Sequence, residues 1–306
     1  MRICSLLPSA TEILFALGLG DSVMGVTHEC DYPPAARSKP GLIQPRLDPA
    51  APPAEINRRV GEMIARGESI YAVRDDLLRE IEPDLIITQD LCQVCAASPD
   101  DLATAVSKFK KRPRILTLSP HRLADVWEDI RRIGMATGTG TAANEFANRL
   151  HEEVGSLRVV SAPASNRPRV ACLEWLDPLF NAGHWVPEMV ECAGGTDVLG
   201  QPGKPSVGIT SADVIRANPD VIIVMPCGYG ATRAAQEFRS SRFPREWKDI
   251  PAIRNNSVFA VDANSYFSRS GPRLSEGVRI LAQILRFGAA ASDPPSLACE
   301  HIVTAA

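Results

Sequence analysis

Eight cysteines punctuate the 306 residues, and four of them, Cys30, Cys92, Cys95 and Cys227, stand where a buried apolar run gives way to polar sequence. Cys92 and Cys95 have the two-residue spacing that lets one stretch of chain present two thiolates to a metal or close a redox disulfide. With Cys30 and Cys227 as further ligands and His28 close by, the set suits a soft metal, namely zinc, Cu(I) or an iron–sulfur cluster. The competing reading for each thiol is that of a small buried hydrophobe, and it is the one taken for Cys4, Cys192 and Cys299. Thiol–disulfide chemistry at Cys92 and Cys95 fits less well, because the pair follows Asp90-Leu91 and does not open a clear helix. Glu29 and Glu174 could move protons at such a site. No complete nucleophile–base or acid–base set can be assembled, so the residues favour binding over catalysis.

Side chains from such distant positions converge only on a scaffold that collects strand ends. Two stretches share one grammar, in which Pro-Asp opens a β-branched run: Pro83-Asp84-Leu85-Ile86-Ile87-Thr88 and Pro219-Asp220-Val221-Ile222-Ile223-Val224. Each follows a helical pattern, over 75–82 and 211–217, as parallel α/β units do. Further strands are expected at 2–5, 22–26, 114–118, 169–173 and 257–261, and helices at 9–17, 99–110, 123–137 and 274–286. Ser9 and Ser98 are the N-cap candidates. Residues 141–157 carry Ala142, Phe146, Leu150 and Val154 at four-residue intervals and read as one amphipathic helix. The expected fold is α/β, with two Rossmann-like parallel-sheet lobes over 1–140 and 161–306, a linking helix at 141–160 and a frayed tail after 288. The Pro-rich segment 40–53 reads as an extended surface loop.

Open α/β sheets bind ligands outside the carboxyl ends of their strands. The segments to inspect are therefore Thr27 to Pro33, Gln89 to Cys95, Glu174 to Pro178 and Pro226 to Tyr229. His184-Trp185 could present an imidazole and an aromatic face to a ligand, with packing of Trp185 beneath the next helix as the alternative. His121, His151 and His301 read as solvated. Arg269 and Arg273 could pair with an acidic ligand group or serve in salt bridges.

Lys and Arg number 33 against 36 Asp and Glu, a net charge of -3, which argues against a phosphate-tracking nucleic-acid binder. The apolar runs are strand-sized, far short of a membrane span. No Walker loop, GxGxxG or GxSxG follows a strand, so nucleotide binding is disfavoured. The helix start at Ser9 to Glu12 still offers backbone donors to an anionic group. The chain enters strand-like sequence at once with no signal peptide ahead of it. The expectation is a cytoplasmic protein if Met1 is the natural start, and a periplasmic or otherwise extracytoplasmic one if a leader was removed.

The order of several segments is familiar. Ser5-Leu6-Leu7-Pro8-Ser9-Ala10-Thr11-Glu12-Ile13-Leu14, Gly25-Val26 followed by Asp31-Tyr32-Pro33, the Pro-Asp-Leu-Ile-Ile strand, the long linking helix, Ala193-Gly194-Gly195 and Ser270-Gly271-Pro272-Arg273 resemble helical-backbone periplasmic binding proteins of the cobalamin-binding type. With no leader in view, the likeness is to a leaderless, cytosolic branch of that family. The resemblance implies two α/β lobes joined by one rigid helix, a small-molecule ligand held between them, and docking on the permease of an ABC importer, for which Glu188 and Glu191 are candidates. It implies a ligand site lined by Pro8, Ser9, Glu29, Asp31, Tyr32, Glu174, Trp175, His184, Trp185, Tyr229, Tyr266, Phe267 and Arg269, with cobalamin or a related corrinoid as ligand. A cytosolic protein carrying a thiolate-bound metal or cluster is the alternative.

Overall fold

The computed structural model describes residues 1–48, 50–90, 102, 106, 107, 109, 111–157, 167–287 and 298–303. The chain divides into two compact units, the first formed by Met1–Pro120 with Ala124–Asn148 and the second by His121–Leu123 with Arg149–Ala306.

The first unit is built on a six-stranded sheet in the order β4-β3-β2-β1-β5-β6. Its strands are β1 (Ile3–Ser5), β2 (Val23–Thr27), β3 (Gly41–Pro45), β4 (Tyr71–Val73), β5 (Leu85–Gln89) and β6 (Arg114–Leu118), all parallel except β4. β1 pairs with β2 on one side and β5 on the other, so the order reverses beside β1, and such a switch point opens a crevice at the strand ends. Helices α1 (Pro8–Ala16), α2 (Pro53–Ala65), α3 (Asp75–Ile81) and α4 (Leu123–Thr137) follow in chain order. The segment expected as a surface loop contains β3, with Leu42 and Ile43 buried in the sheet. Pro40 and Pro45 flank too few residues for a periodic pattern to register.

Helix α5 (Gly140–Leu157) runs from the first unit into the second. Its buried stripe is Ala143, Ala147, Leu150 and Val154, while Ala142 is exposed and Phe146 only half-buried. A strict four-residue period drifts around a helix of 3.6 residues per turn, so the expected register was one position off at its start. Ala143 sits directly over Gly134 of α4, where no side chain would fit.

The second sheet runs β12-β11-β10-β7-β8, with β9 also paired to β7. Its strands are β7 (Arg169–Leu176), β8 (Leu179–Asn181), β9 (Thr196–Asp197), β10 (Val221–Val224), β11 (Val258–Val261) and β12 (Cys299–His301). The helices are α6 (Val186–Cys192), α7 (Ser211–Ala217), α8 (Ala231–Ser240), α9 (Pro251–Arg254), α10 (Ala263–Tyr266) and α11 (Leu274–Phe287). The tail does not simply fray: β12 returns to pair antiparallel with β11, burying Cys299 and holding His301 Nε2 2.6 Å from the Asn256 carbonyl.

The repeated Pro-Asp grammar has one structural meaning in both units. Glu82 and Asn218 end α3 and α7 in the left-handed conformation, at φ 44° and 46°. Proline then commits the chain to extension, and the aspartate closes the start of the neighbouring parallel strand. Arg2 N–H donates to the Asp84 carboxylate at 3.0 Å and Arg169 N–H to that of Asp220 at 2.9 Å, while each aspartate N–H donates back to the same arginine's carbonyl at 2.8 Å. Leu85–Ile87 and Val221–Val224 follow with every side chain buried, as strands covered on both faces require.

Candidate functional site

In the first unit the ends of β1 and β2 are joined by small polar groups. Thr11 Oγ1 lies 2.8 Å from Ser5 Oγ and 3.1 Å from Cys30 Sγ, and Thr27 Oγ1 accepts from Glu29 N–H at 3.0 Å. This network pins the turn after β2 against the start of α1. Pro8 and Ser9 are buried there, with Pro8 opening the helix and Leu7, not Ser9, in the cap position. His28 anchors the other side, its Nδ1 3.1 Å from the Ile43 carbonyl and its ring 5.8 Å from that of Tyr71. The anchored turn turns Glu29 and Tyr32 outward, Tyr32 being 47% exposed, with Asp31 half-buried between them.

In the second unit β7 extends past its expected end, so Glu174 and Trp175 belong to the strand, beside an irregular register with β8. The Glu174 carbonyl accepts from Cys227 N–H at 3.1 Å and its carboxylate from Gly183 N–H at 3.3 Å, tying together the segments after β7, β8 and β10. Trp175 is half-buried, donates Nε1–H to the Asp177 carbonyl at 3.0 Å, and meets Tyr229 edge to face with centroids 5.5 Å apart. Tyr229, expected as a ligand contact, is buried in the core of this unit, which raises its phenol above its ordinary pKa, with the neighbouring Arg233 charge working against the rise. Arg233 was not foreseen. It lies four residues beyond Tyr229 in α8, places its guanidinium 3.7 Å from the ring centroid and donates to the hydroxyl at 2.9 Å.

Tyr266 and Phe267 end α10 and point to different fates. Phe267 is buried, and its carbonyl accepts from the indole N–H of the equally buried Trp185 at 2.8 Å. Trp185 and Phe267 therefore support the strand-end face from within. Tyr266 is half-buried with the Arg273 guanidinium 5.6 Å from its centroid, and Arg269 donates to Asn264 Oδ1 at 3.0 Å. Asn264 N–H in turn donates to the Tyr229 carbonyl at 3.1 Å, which ties the segments after β10 and β11 together. His184 adopts φ 53°, with a buried Nδ1 that has no hydrogen-bond partner. Burial, and then the His121 ring 5.7 Å away, hold it below the ordinary histidine pKa. Glu188 pairs with Arg122 at 3.0 Å and accepts from Leu123 N–H at 2.9 Å, while Glu191 is exposed.

The expected thiolate site is not assembled among the described residues. Among the described residues no three His, Cys, Asp or Glu side chains are grouped to hold a metal. Cys30 is 4% exposed and spent on the Thr11 and Thr27 hydroxyls, His28 on a backbone carbonyl, and Cys227 is an exposed thiol. Cys92 and Cys95 lie outside the described residues. No helix among the described residues is long and apolar enough to cross a membrane.

Comparison with known proteins agrees with the fold. Residues 3–265 match the sequence profile of the family described as "Periplasmic binding protein". An uncharacterised ABC transporter substrate-binding lipoprotein of Bacillus subtilis, YvrC, is 26% identical over 290 residues, covering 92% of this chain and 79% of the relative. Among solved structures, the periplasmic heme-binding protein RhuT from Roseiflexus superposes with a TM-score of 0.68 at 23% identity, covering 93% of this chain and 97% of that one. The periplasmic vitamin B12 binding protein BtuF of Vibrio cholerae superposes with a TM-score of 0.65 at 22% identity, covering 93% and 96%. Likeness at this level is likeness of fold.

Proposed function

We propose, on the premise that this chain belongs to the periplasmic binding protein family, that it is the substrate-binding component of an ABC importer and carries a metal-centred tetrapyrrole, cobalamin or a related corrinoid being the first candidate and heme the second. The observation that carries the reading is the pair of half-buried aromatic rings at the strand ends of the second unit, Trp175 at the end of β7, braced edge to face by the buried Tyr229, and Tyr266 after β11. Broad apolar rings on a rigid base suit a large flat ligand, because they bury its faces without losing much side-chain freedom. The B12- and heme-binding relatives support the ligand class. In this role the protein works outside the cytoplasmic membrane and hands its cargo to a permease. The exposed Glu29 and Tyr32 of the first unit are further proposed ligand contacts.

Titration of the purified protein with cyanocobalamin and with hemin, followed by absorbance and calorimetry, tests the reading. One-to-one binding of either is expected. Trp175→Ala should weaken it at least tenfold while leaving the far-ultraviolet circular dichroism unchanged. Absence of binding to both ligands overturns the proposal.

A further inference from the structure

The direction of the Trp175 ring is not set by its strand ladder alone. Trp175 stands half-buried at the end of β7, where the register with β8 shifts between Leu173 and Trp175, and its indole N–H donates to the Asp177 carbonyl at 3.0 Å. One hydrogen bond leaves an indole able to tilt about it, and the edge-to-face contact with Tyr229, at 5.5 Å between centroids, limits that tilt. Tyr229 is fixed at its backbone, its N–H on the Pro226 carbonyl at 3.0 Å and its own carbonyl accepting from Asn264 N–H at 3.1 Å. Its ring is clamped by the half-buried Arg233, whose guanidinium lies 3.7 Å from the centroid and donates to the hydroxyl at 2.9 Å. Arg233 is the third residue of α8, in a first turn without an acidic side chain, where the positive end of the helix dipole disfavours a cation. The helix therefore does not account for a guanidinium at that position, whereas the ring does.

We infer that Arg233 is a positioning residue for ligand binding: by clamping Tyr229 it fixes the face that Trp175 presents at the strand ends, without touching the ligand itself. The role rests on the function proposed above and deepens it, since Trp175 is the ring assigned there to the ligand. A planar guanidinium stacks on a ring face and reaches the hydroxyl at the ring's edge at once, which the compact ammonium of lysine does not. Because Tyr229 is buried in the core of the second unit, losing the clamp opens no cavity at the ring. It lets the ring turn, and Trp175 tilts with it. A ligand that lies flat on the indole then meets a surface whose direction must be ordered on binding, and that ordering costs affinity.

The test combines fluorine NMR of 5-fluorotryptophan-labelled protein with ligand titration. The chain has four tryptophans, Trp127, Trp175, Trp185 and Trp247, and the Trp175 resonance is assigned from Trp175→Phe. Arg233→Met, which keeps the apolar stem and removes the charge and the donor, should shift or broaden the Trp175 resonance in the unliganded protein and leave the others in place. Arg233→Lys should return it part of the way. Titrated with cyanocobalamin and with hemin, Arg233→Met should weaken binding about fivefold in the wild-type background but less than about twofold when added to Trp175→Ala, the non-additivity expected of residues that act as one unit. An unmoved Trp175 resonance, movement of all four resonances together, or losses that multiply in the double variant overturns the inference and leaves the ligand reading standing. If the wild type binds neither ligand, the function proposed above falls, and the Trp175 resonance alone decides whether Arg233 positions that ring.

Discussion

At the scale of single residues, the two units solve one local problem with different side chains. Asn218 and Glu82 both end a helix at positive φ, but asparagine accepts that conformation far more readily than glutamate does. Glu82→Asn is expected to stabilise the protein by about 0.5 kcal/mol, seen as a higher urea midpoint with an unchanged slope, because it brings the first unit to the solution already present in the second. The same scale shows how the described cysteines depart from the thiolate reading. Their positions after strands were legible, but a thiol at a strand end is equally useful as packing, and nothing in the spacing shows that Thr11 and Thr27 would occupy Cys30. Trp185 and Phe267 followed the same course. Both are buried, as the packing alternative for Trp185 allows, because tertiary packing that no local pattern encodes decides the direction of each side chain.

At the scale of elements, the strands easiest to foresee were those buried on both faces, since Leu85–Ile87 and Val221–Val224 announce themselves by composition alone. The edge strands β4, β8 and β12 were missed because three-residue strands give a period of two too little length to show. Elements also meet at positions that sequence marks only by small size. Gly277 in α11 lies so close to the Tyr266 carbonyl that a methyl group there would collide with it and approach the Met189 methyl to 2.6 Å. Gly277→Ala is therefore expected to displace the α10–α11 segment, lowering stability by about 1–3 kcal/mol and ligand affinity together. Thermal melts and titrations on the same sample would measure both, and a loss of stability with unaltered affinity would show that this segment does not position the ligand.

At the scale of the whole molecule, stability depends on two buried carboxylates, one in each unit. Burial raises Asp129 to about 6 against the pull of Arg132, and raises Asp197 to about 6 against the two backbone donors of Leu199 and Gly200. Each has a second oxygen that is buried without a hydrogen-bond partner. A carboxyl whose folded pKa lies above its unfolded value binds more protons folded than unfolded between the two, so its contribution falls as pH rises from about 4 to 6 and is flat above. Asp197→Asn keeps an acceptor for Leu199 and Gly200 while removing the charge. Its advantage over wild type should be near zero below pH 4 and reach roughly 2–3 kcal/mol above pH 6. Denaturation curves across that range would check it, and a pH-independent difference would show that the carboxylate does not titrate there.

The hydrogen bond from Trp185 to the Phe267 carbonyl has an optical consequence. Its indole is buried, so its emission is shielded from direct quenching by water. It is fastened to the backbone one residue from Tyr266. A chromophore placed so close to the strand-end face, without forming its surface, makes the protein its own fluorescent gauge: a coloured ligand settling on that face would dim Trp185 by energy transfer, with no label added.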